Sequence, residues 1–549
     1  MNNDNRFYII MISMILLIFL IVTIKESGVM DDRLTYENDD FTLNNTKPWG
    51  KQEGPYGVTS DSTIATEVGM NVLEQGGNAV DAAIAVGFAL GVVEPHGSGI
   101  GGGGTMLIHS GRGQEPVVYD YRETAPDKVP SSGSGVPGFV KGMYKVHEDF
   151  GTTNMEQLIQ PSINLAKNGI TVSETLHESL EVSADRLPDL NHYFPGGEPI
   201  EEGELLTQKQ LAETLKEIQT EGPDAFYNGD IATEINDEEE ELDKKNLKSY
   251  NVEVKQPLKG EFGGYDVLAP PPPSGGVMLI QTLEMAESLQ IEDTKNNPLD
   301  FSATMGMISR RSYHDRLQKV GDPHYTDVPI KEMISQDHIK DLASSINSLN
   351  KSENFRTNLD SDADIEDHGN TTHFVVVDKN GMMVSVTNTL SDFFGSGEYV
   401  NGFFLNNQLK NFSNNKHSPN RPEPGKRPFS YTSPTILAKN GKPVIGIGSA
   451  GGRRITSMVA QQLVKMIKFN EPIQAAVEEP RTFLEFNQDV LKAEKDFVFL
   501  KDPENLGIDV EFYDNSYYFG NVQGLVIDYR NNKMHGISDP RRQGSWMSK

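Results

Sequence analysis

The pattern of apolar and polar positions divides the chain into a helical first part and a strand-rich last part. In STIATEVGMNVLE the apolar positions recur every three or four residues, which predicts an amphipathic helix over about 62–75. After QGGN, residues 79–93 are apolar nearly all round, the pattern of a buried helix. Gly76 and Gly77 stop the first helix and Asn78 caps the second. TMLIHS and PVVYDYR then read as strands around the turn-like GRGQ. From about 140 to 350 the chain reads as mainly helical. It is broken by NDEEEELDKK, a solvated surface, and by LAPPPPSGG, a stiff extended approach to the helix VMLIQTLEMAESLQ.

From residue 371 alternation takes over. THFVVVD and MMVSVTNTL flank the hairpin turn DKNG, PTILAKNGKPVIGIG makes a second hairpin, and VQGLVIDYRNNKMHGISD a closing one. Between the last two, SAGGRRITSMV is a glycine turn entering an amphipathic helix. Strand pairs combined with helical layers predict an α/β stack rather than a parallel βαβ array.

One segment changes the picture of location. FYIIMISMILLIFLIVTI (7–24) carries no charge over 18 residues, follows Arg6, and is not followed by a small-residue cleavage site. It reads as an uncleaved membrane anchor, with a removed signal as the alternative. The rest would then be exported, held at the outer cell surface or secreted, and residues 26–54 would be a polar linker.

Composition narrows the partners. A formal net charge of −30 argues against nucleic acid, which needs clustered Lys and Arg. The absence of cysteine excludes disulfides, thiolate nucleophiles and Cys-based metal sites.

The chemistry gathers at NTTHFVVVDKNGMMVSVTNTL. A turn centred on DKNG pairs positions whose numbers sum to 759 or 760, so Thr371 lies opposite Asn388 or Thr389. A second threonine hydroxyl is thus in reach of the first, although such pairs are common in plain sheets. GIGSAGGRRI adds a strand running into Gly451 and Gly452 at a helix start. Its amides suit an oxyanion hole, and equally an ordinary glycine turn. GIGGGG (99–104) matches a dinucleotide fingerprint only literally, because it follows a helix and precedes a strand, the reverse of the required order. His96 and His373 have no spaced partners for a zinc site or a Ser-His-Asp triad. A threonine without a histidine helper becomes a nucleophile if its own α-amine is the base. That requires cleavage between Asn370 and Thr371, where an acidic, loop-like stretch meets a strand.

GGNAVDAAIA, SGIGGGG, YRETAP, NTTHFVVVDKNGMMVSVTNTLSDFFGSG, FFLNNQLKNF, SPTI and GIGSAGGRRI, in this order, resemble the γ-glutamyltransferase family from about residue 55 to the end. The resemblance implies an α+β, four-layer αββα N-terminal nucleophile hydrolase. It also implies a self-cleaving precursor, with a large subunit over 55–370 and a small one over 371–549 intertwined in one catalytic domain. Thr371 would be the processing residue and nucleophile, Thr389 its orienting partner, Gly451 and Gly452 the oxyanion amides, and Arg122 a clamp for a substrate carboxylate. No metal or organic cofactor is implied.

Departures from the glutathione-cleaving pattern point further. Ser391 stands where Asn is usual, Asn411 where Asp is usual, Tyr431 beside Ser430 where a serine is usual, and Ala450 where Pro is usual; Gln408 remains. NNKHSPNRPEPGKRP is shorter than the usual lid-bearing segment, which leaves a more open groove. With LSDFFGSG, EPGKRP and DPRRQGSW, these features look nearest to the capsule-anchoring poly-γ-glutamate transpeptidase/depolymerase branch. Arg453, Arg454, Arg541 and Arg542 would then supply local positive charge, or else form ordinary ion pairs. The expected reaction cleaves poly-γ-glutamate through a threonyl ester and passes it to water or to an amine, such as one of peptidoglycan. A glutathione-type γ-glutamyltransferase and an uncleaved, non-catalytic binding homologue are the alternatives.

Overall fold

The computed structural model describes residues 54–111, 113–188, 190–347, 369–500, 508–514 and 516–549, all in one compact unit. Its centre is the hairpin of Gly369–Val377 and Met383–Asp392. Asp378 closes the turn: its Oδ1 accepts the amides of Asn380 (2.7 Å) and Met382 (3.1 Å), and Gly381 takes φ +79°. Asp378 Oδ2 also accepts the Ala79 amide (3.2 Å), tying the hairpin to the start of the buried helix Ala79–Val93. Asn78 and Asp81 form a reciprocal capping box there, so the cap read from the sequence is the one present.

The hairpin sits inside a seven-stranded antiparallel sheet. In spatial order its strands are Ser545–Ser548, Gly57–Ser60, Gly369–Val377, Met383–Asp392, Gly103–His109, Val117–Asp120 and Glu253–Lys255. Strands from before and after residue 371 thus interleave in one sheet. A six-stranded antiparallel sheet packs on it, in the order Lys533–Ser538, Asn521–Asp528, Lys442–Ala450, Thr435–Lys439, Tyr265–Ala269 and Leu258–Phe262.

The two-residue period of a strand sorts the core. Val375, Val377 and Met383 pack with Leu107, Ile436 and Leu525 between the sheets. Phe374, Val376, Val384 and Val386 join the helical core on the outer face, against Ala79–Val93 and Phe139–Phe150. The second sheet is covered by Gly276–Ser288 and Ile455–Leu463, with Pro298–Lys319 packed on both. The result is the expected αββα stack. Between the sheets the His373 ring occupies the space left by Gly448, where a Cβ would lie 2.2 Å from its Cε1.

The middle is mainly helical, as read, but among the described residues it also carries five strands; three of them, Glu253–Lys255, Leu258–Phe262 and Tyr265–Ala269, were not foreseen and join the two large sheets. Alternating burial in LKGEF and the positive-φ pair Gly263–Gly264 are the local reasons for strand and turn. The cell-surface, membrane-anchored location is also corrected: among the described residues no helix is long and apolar enough to cross a membrane. The apolar segment 7–24 that suggested it, most of the linker and the acidic stretch before Asn370 lie outside the described residues.

Candidate active site

Pairing resolves the alternative left by the turn arithmetic: Thr371 faces Thr389, and Asn388 faces Thr372. Thr371 and Thr389 are 4% and 3% exposed, and their hydroxyl oxygens are 3.2 Å apart. Just beyond Thr389 a bulge shifts the register and places Ser391, at φ +82°, opposite Asn370. That bend aims the Ser391 amide at Thr389 Oγ1 (2.9 Å), while the Thr389 hydroxyl donates to the Asn370 carbonyl (2.9 Å). The carbonyl polarised in this way belongs to the peptide bond between Asn370 and Thr371.

Asn370 is held from its side chain as well. Its Oδ1 accepts the Thr371 amide (3.0 Å) and a donor from Arg542 Nη1. Arg542 lies 5.3 Å from the Tyr517 ring centroid and is buried. Nearby, Asp61 takes the His373 amide (3.3 Å) and Asn521 Nδ2 (2.7 Å). Burial pushes the Asp61 carboxyl up to about 7 against the opposing charge of Arg542. Burial likewise raises Glu94 and holds His96 down at about 3. His373 Nδ1 is engaged with Thr387 Oγ1 (2.8 Å), two pairs along the hairpin from the two threonines.

Gly451 (φ +124°) and Gly452 (φ +55°) leave the strand Lys442–Ala450 through a tight 3-10 turn before the helix Ile455–Leu463, and the turn packs against the strand carrying Thr371. Both dihedrals favour glycine, and a Cβ at Gly451 would lie 2.9 Å from Gly520 Cα.

The other anticipated residues are less open than the sequence suggested. Arg122 is wholly buried: its Nε and Nη2 fork Asp120 (2.9 and 2.7 Å), and its Nη1 serves the carbonyls of Pro273 (3.3 Å) and Pro428 (3.2 Å). The Arg122 guanidinium is thus closed on an internal carboxylate, as a buried guanidinium requires. Of the two readings left open for the arginines, ion pairs are what Arg453 and Arg541 form. Arg453 pairs with Glu485 (2.8 Å), Arg541 with Glu494 (2.6 Å) and Asp539 (3.1 Å), and Arg454 stacks 3.9 Å from the Tyr518 centroid. Arg542 reaches the Asn370 side chain, next to the threonine pair. The Tyr431 hydroxyl takes Arg316, whose guanidinium lies 3.8 Å from the Phe429 ring centroid. Ser430 Oγ accepts the Thr432 amide (3.3 Å), Asn411 is half-buried, and Gln408 is buried with no hydrogen-bond partner on its Nε2 among the described residues.

Sequence reasoning missed Asp61, Ser98, Glu123 and Asn521. Ser98 accepts the Thr372 hydroxyl (3.0 Å), and Glu123 is buried with neither carboxyl oxygen paired among the described residues. Each is a single polar residue with no spacing signal of its own, brought in by the tertiary fold; Asp61, Ser98 and Glu123 lie outside the strands. The glycines of the rejected dinucleotide motif have a packing purpose instead. A Cβ at Gly102 would lie 2.3 Å from the Thr389 carbonyl oxygen.

Known proteins are similar to this chain. The family model for gamma-glutamyltranspeptidase matches residues 65–548. The capsule biosynthesis protein CapD proenzyme of Bacillus anthracis is 41% identical over 90% of this chain and 91% of its own. The glutathione hydrolase proenzyme of Bacillus subtilis (strain 168) is 34% identical over 89% of this chain and 90% of its own. The crystal structure of a cephalosporin acylase from Bacillus halodurans shares the fold, with a TM-score of 0.82 at 22% identity over 94% of this chain and 99% of that one. The chain belongs to the gamma-glutamyltranspeptidase family and is an enzyme of that γ-glutamyltransferase/hydrolase class.

Proposed function

We propose that the chain cleaves itself between Asn370 and Thr371 and then cleaves poly-γ-glutamate through a γ-glutamyl ester on Thr371. The observation that carries this reading is the Thr389 hydroxyl, 3.2 Å from Thr371 Oγ1 and 2.9 Å from the Asn370 carbonyl oxygen. Thr371 Oγ1 attacks the Asn370 carbonyl carbon, and its proton passes to the departing Thr371 nitrogen. Thr389 donates to the oxygen on which negative charge develops. Water hydrolyses the resulting ester, leaving a carboxylate on Asn370 and a free amine and hydroxyl on Thr371. The products are the segments ending at Asn370 and beginning at Thr371.

In the second stage the freed amine takes the Thr371 hydroxyl proton as the oxygen attacks a γ-carbonyl. Gly451 and Gly452 supply amides to the oxyanion, and the amine returns the proton to the departing nitrogen. Water or an acceptor amine then takes the glutamyl group, and a peptidoglycan amine is the proposed acceptor. Arg122 reaches a substrate carboxylate only after letting go of Asp120.

The polymer reading is supported by Ser391, Asn411 and Tyr431, by the shortened segment after Phe412, and by a relative named for capsule biosynthesis. Relatives named glutathione hydrolase support the small-substrate reading. The test offers poly-γ-glutamate and glutathione to matured protein and to Thr371→Ala. Shortened polymer with a glutamyl adduct on Thr371 is expected. Glutathione turnover with intact polymer selects the second reading.

A further inference from the structure

A cavity of about 320 Å³ lies at the C-terminal end of the helix Ile455–Leu463, the end away from the Gly451–Gly452 turn. The 9 residues of that helix, at about 1.5 Å each, set the cavity about 13 Å from the turn. Past Leu463 the backbone widens into a π turn, Val464–Lys468, in which the Phe469 amide reaches back to the Val464 carbonyl (3.1 Å). Such turns recur at functional sites because they shift side chains out of helical register. Here Lys465 and Phe469 face the cavity, and the Glu471 amide bonds the Lys465 carbonyl (3.0 Å), which brings the Glu471 side chain to the same wall. The apolar lining is completed by Phe301, near the start of Pro298–Lys319, and by Phe497 and Val498, after the strand Val490–Glu494. Phe301 and Phe469 meet edge to face with centroids 5.3 Å apart.

The polar groups of the lining are engaged with one another, with one exception. Gln461 Nε2 donates to Ser457 Oγ and to the Thr482 carbonyl (both 3.1 Å), and the Thr482 hydroxyl donates to Ser302 (2.8 Å). Lys465 pairs with Glu479 (2.7 Å), and Lys295 donates to the Phe469 carbonyl. Glu471 Oε2 is shielded from solvent and has no hydrogen-bond partner among the described residues. Burial pushes its carboxyl up, and Glu479 adds to the effect. Glu471, Glu479 and Asp496 stand against only Lys295 and Lys465, so the lining is short of one positive charge.

We propose that this cavity is a binding site for a small organic amine, whose ammonium pairs with Glu471 and whose apolar or aromatic body packs on Phe301, Phe469 and Phe497. The site is separate from the threonine pair, and the inference does not rest on the γ-glutamyl reading. Its volume falls within the roughly 300–1,000 Å³ of small-molecule sites, which combine apolar walls with a few orienting polar groups. A carboxylate of the same shape would meet Glu471 and Glu479 as like charges. An uncharged ligand would leave the Glu471 oxygen buried and unpaired.

The test titrates 2-phenylethylamine into the purified chain by calorimetry, with 3-phenylpropionate as a ligand of similar size and opposite charge. No glutamyl donor such as γ-glutamyl p-nitroanilide is present, so the amine is not consumed as an acceptor. One amine per chain should bind, and the carboxylate should not. Glu471→Gln keeps the shape, removes the charge and should weaken binding about tenfold to a hundredfold, the loss of one charge-assisted hydrogen bond. Val498 is 68% exposed at the rim, so Val498→Trp should obstruct the mouth and weaken binding without disturbing the core. The Tm of each variant shows whether it is folded, and Val498→Trp decides the matter if Glu471→Gln is not. No amine binding by the wild type, equal binding of the carboxylate, or unchanged affinity in either folded variant overturns the proposal.

Discussion

Replacing Thr389 with valine removes one hydroxyl and keeps the β-branched shape that the strand prefers. The hydroxyl lost is the one 2.9 Å from the Asn370 carbonyl oxygen and 3.2 Å from Thr371 Oγ1. Loss of a single donor to a developing oxyanion costs about 2.7–4 kcal/mol, so self-cleavage should slow by roughly 10²–10³. The Ser391 amide also loses its acceptor at 2.9 Å, at a cost to stability of about 1–3 kcal/mol. That is less than the roughly 5–15 kcal/mol that holds a domain folded, so Thr389→Val should accumulate as a folded precursor. The assay is cell-free synthesis followed by denaturing electrophoresis over time, with circular dichroism on the purified chain. Thr389→Ser, which keeps the hydroxyl, should mature within about tenfold of wild type, as only packing changes. A folded Thr389→Val chain maturing at the wild-type rate would refute the role given to this hydroxyl.

Three further outcomes are expected. Arg542→Met frees the Asn370 side chain that also holds the Thr371 amide, and should slow self-cleavage roughly tenfold to a hundredfold in the same time course. Gly451→Ala forces a side chain onto φ +124° and against Gly520, at about 1–3 kcal/mol; glutamyl transfer, read as anilide turnover, should fall further than precursor cleavage. Glu123 has a pKa raised to about 8 in the fold, against 4.5 for a free glutamate, so the folded chain binds more protons than the unfolded one between these values. Stability therefore falls as pH rises through that window. Glu123→Gln should match wild type in Tm near pH 4.5 and exceed it increasingly towards pH 8.

The sequence carried the parts of this account that depend on local periodicity. Asn78 and the double glycine mark a helix boundary, and DKNG fixes a hairpin whose register brings Thr371 and Thr389 together within one residue. What it did not carry is set by non-local pairing. Glu253–Phe262 enters both sheets although its surroundings are helical, and Glu123 reaches the row of Thr371 and Thr389 only because Gly103 pairs with Thr389. Arginine pairs could be read as a charged groove until the structure supplied Glu485, Glu494 and Asp539 as partners. Burial decides that outcome, and burial is a property of the whole fold.

The most direct measurement is the intact mass of purified wild type and Thr371→Ala, before and after brief exposure to γ-glutamyl p-nitroanilide. The account predicts two wild-type polypeptides, one beginning Thr371-Thr372-His373-Phe374, and a transient gain of one glutamyl unit on that polypeptide alone. Thr371→Ala should remain a single unmodified chain. A folded wild type that stays uncut, or that carries the glutamyl group on another residue, would contradict it.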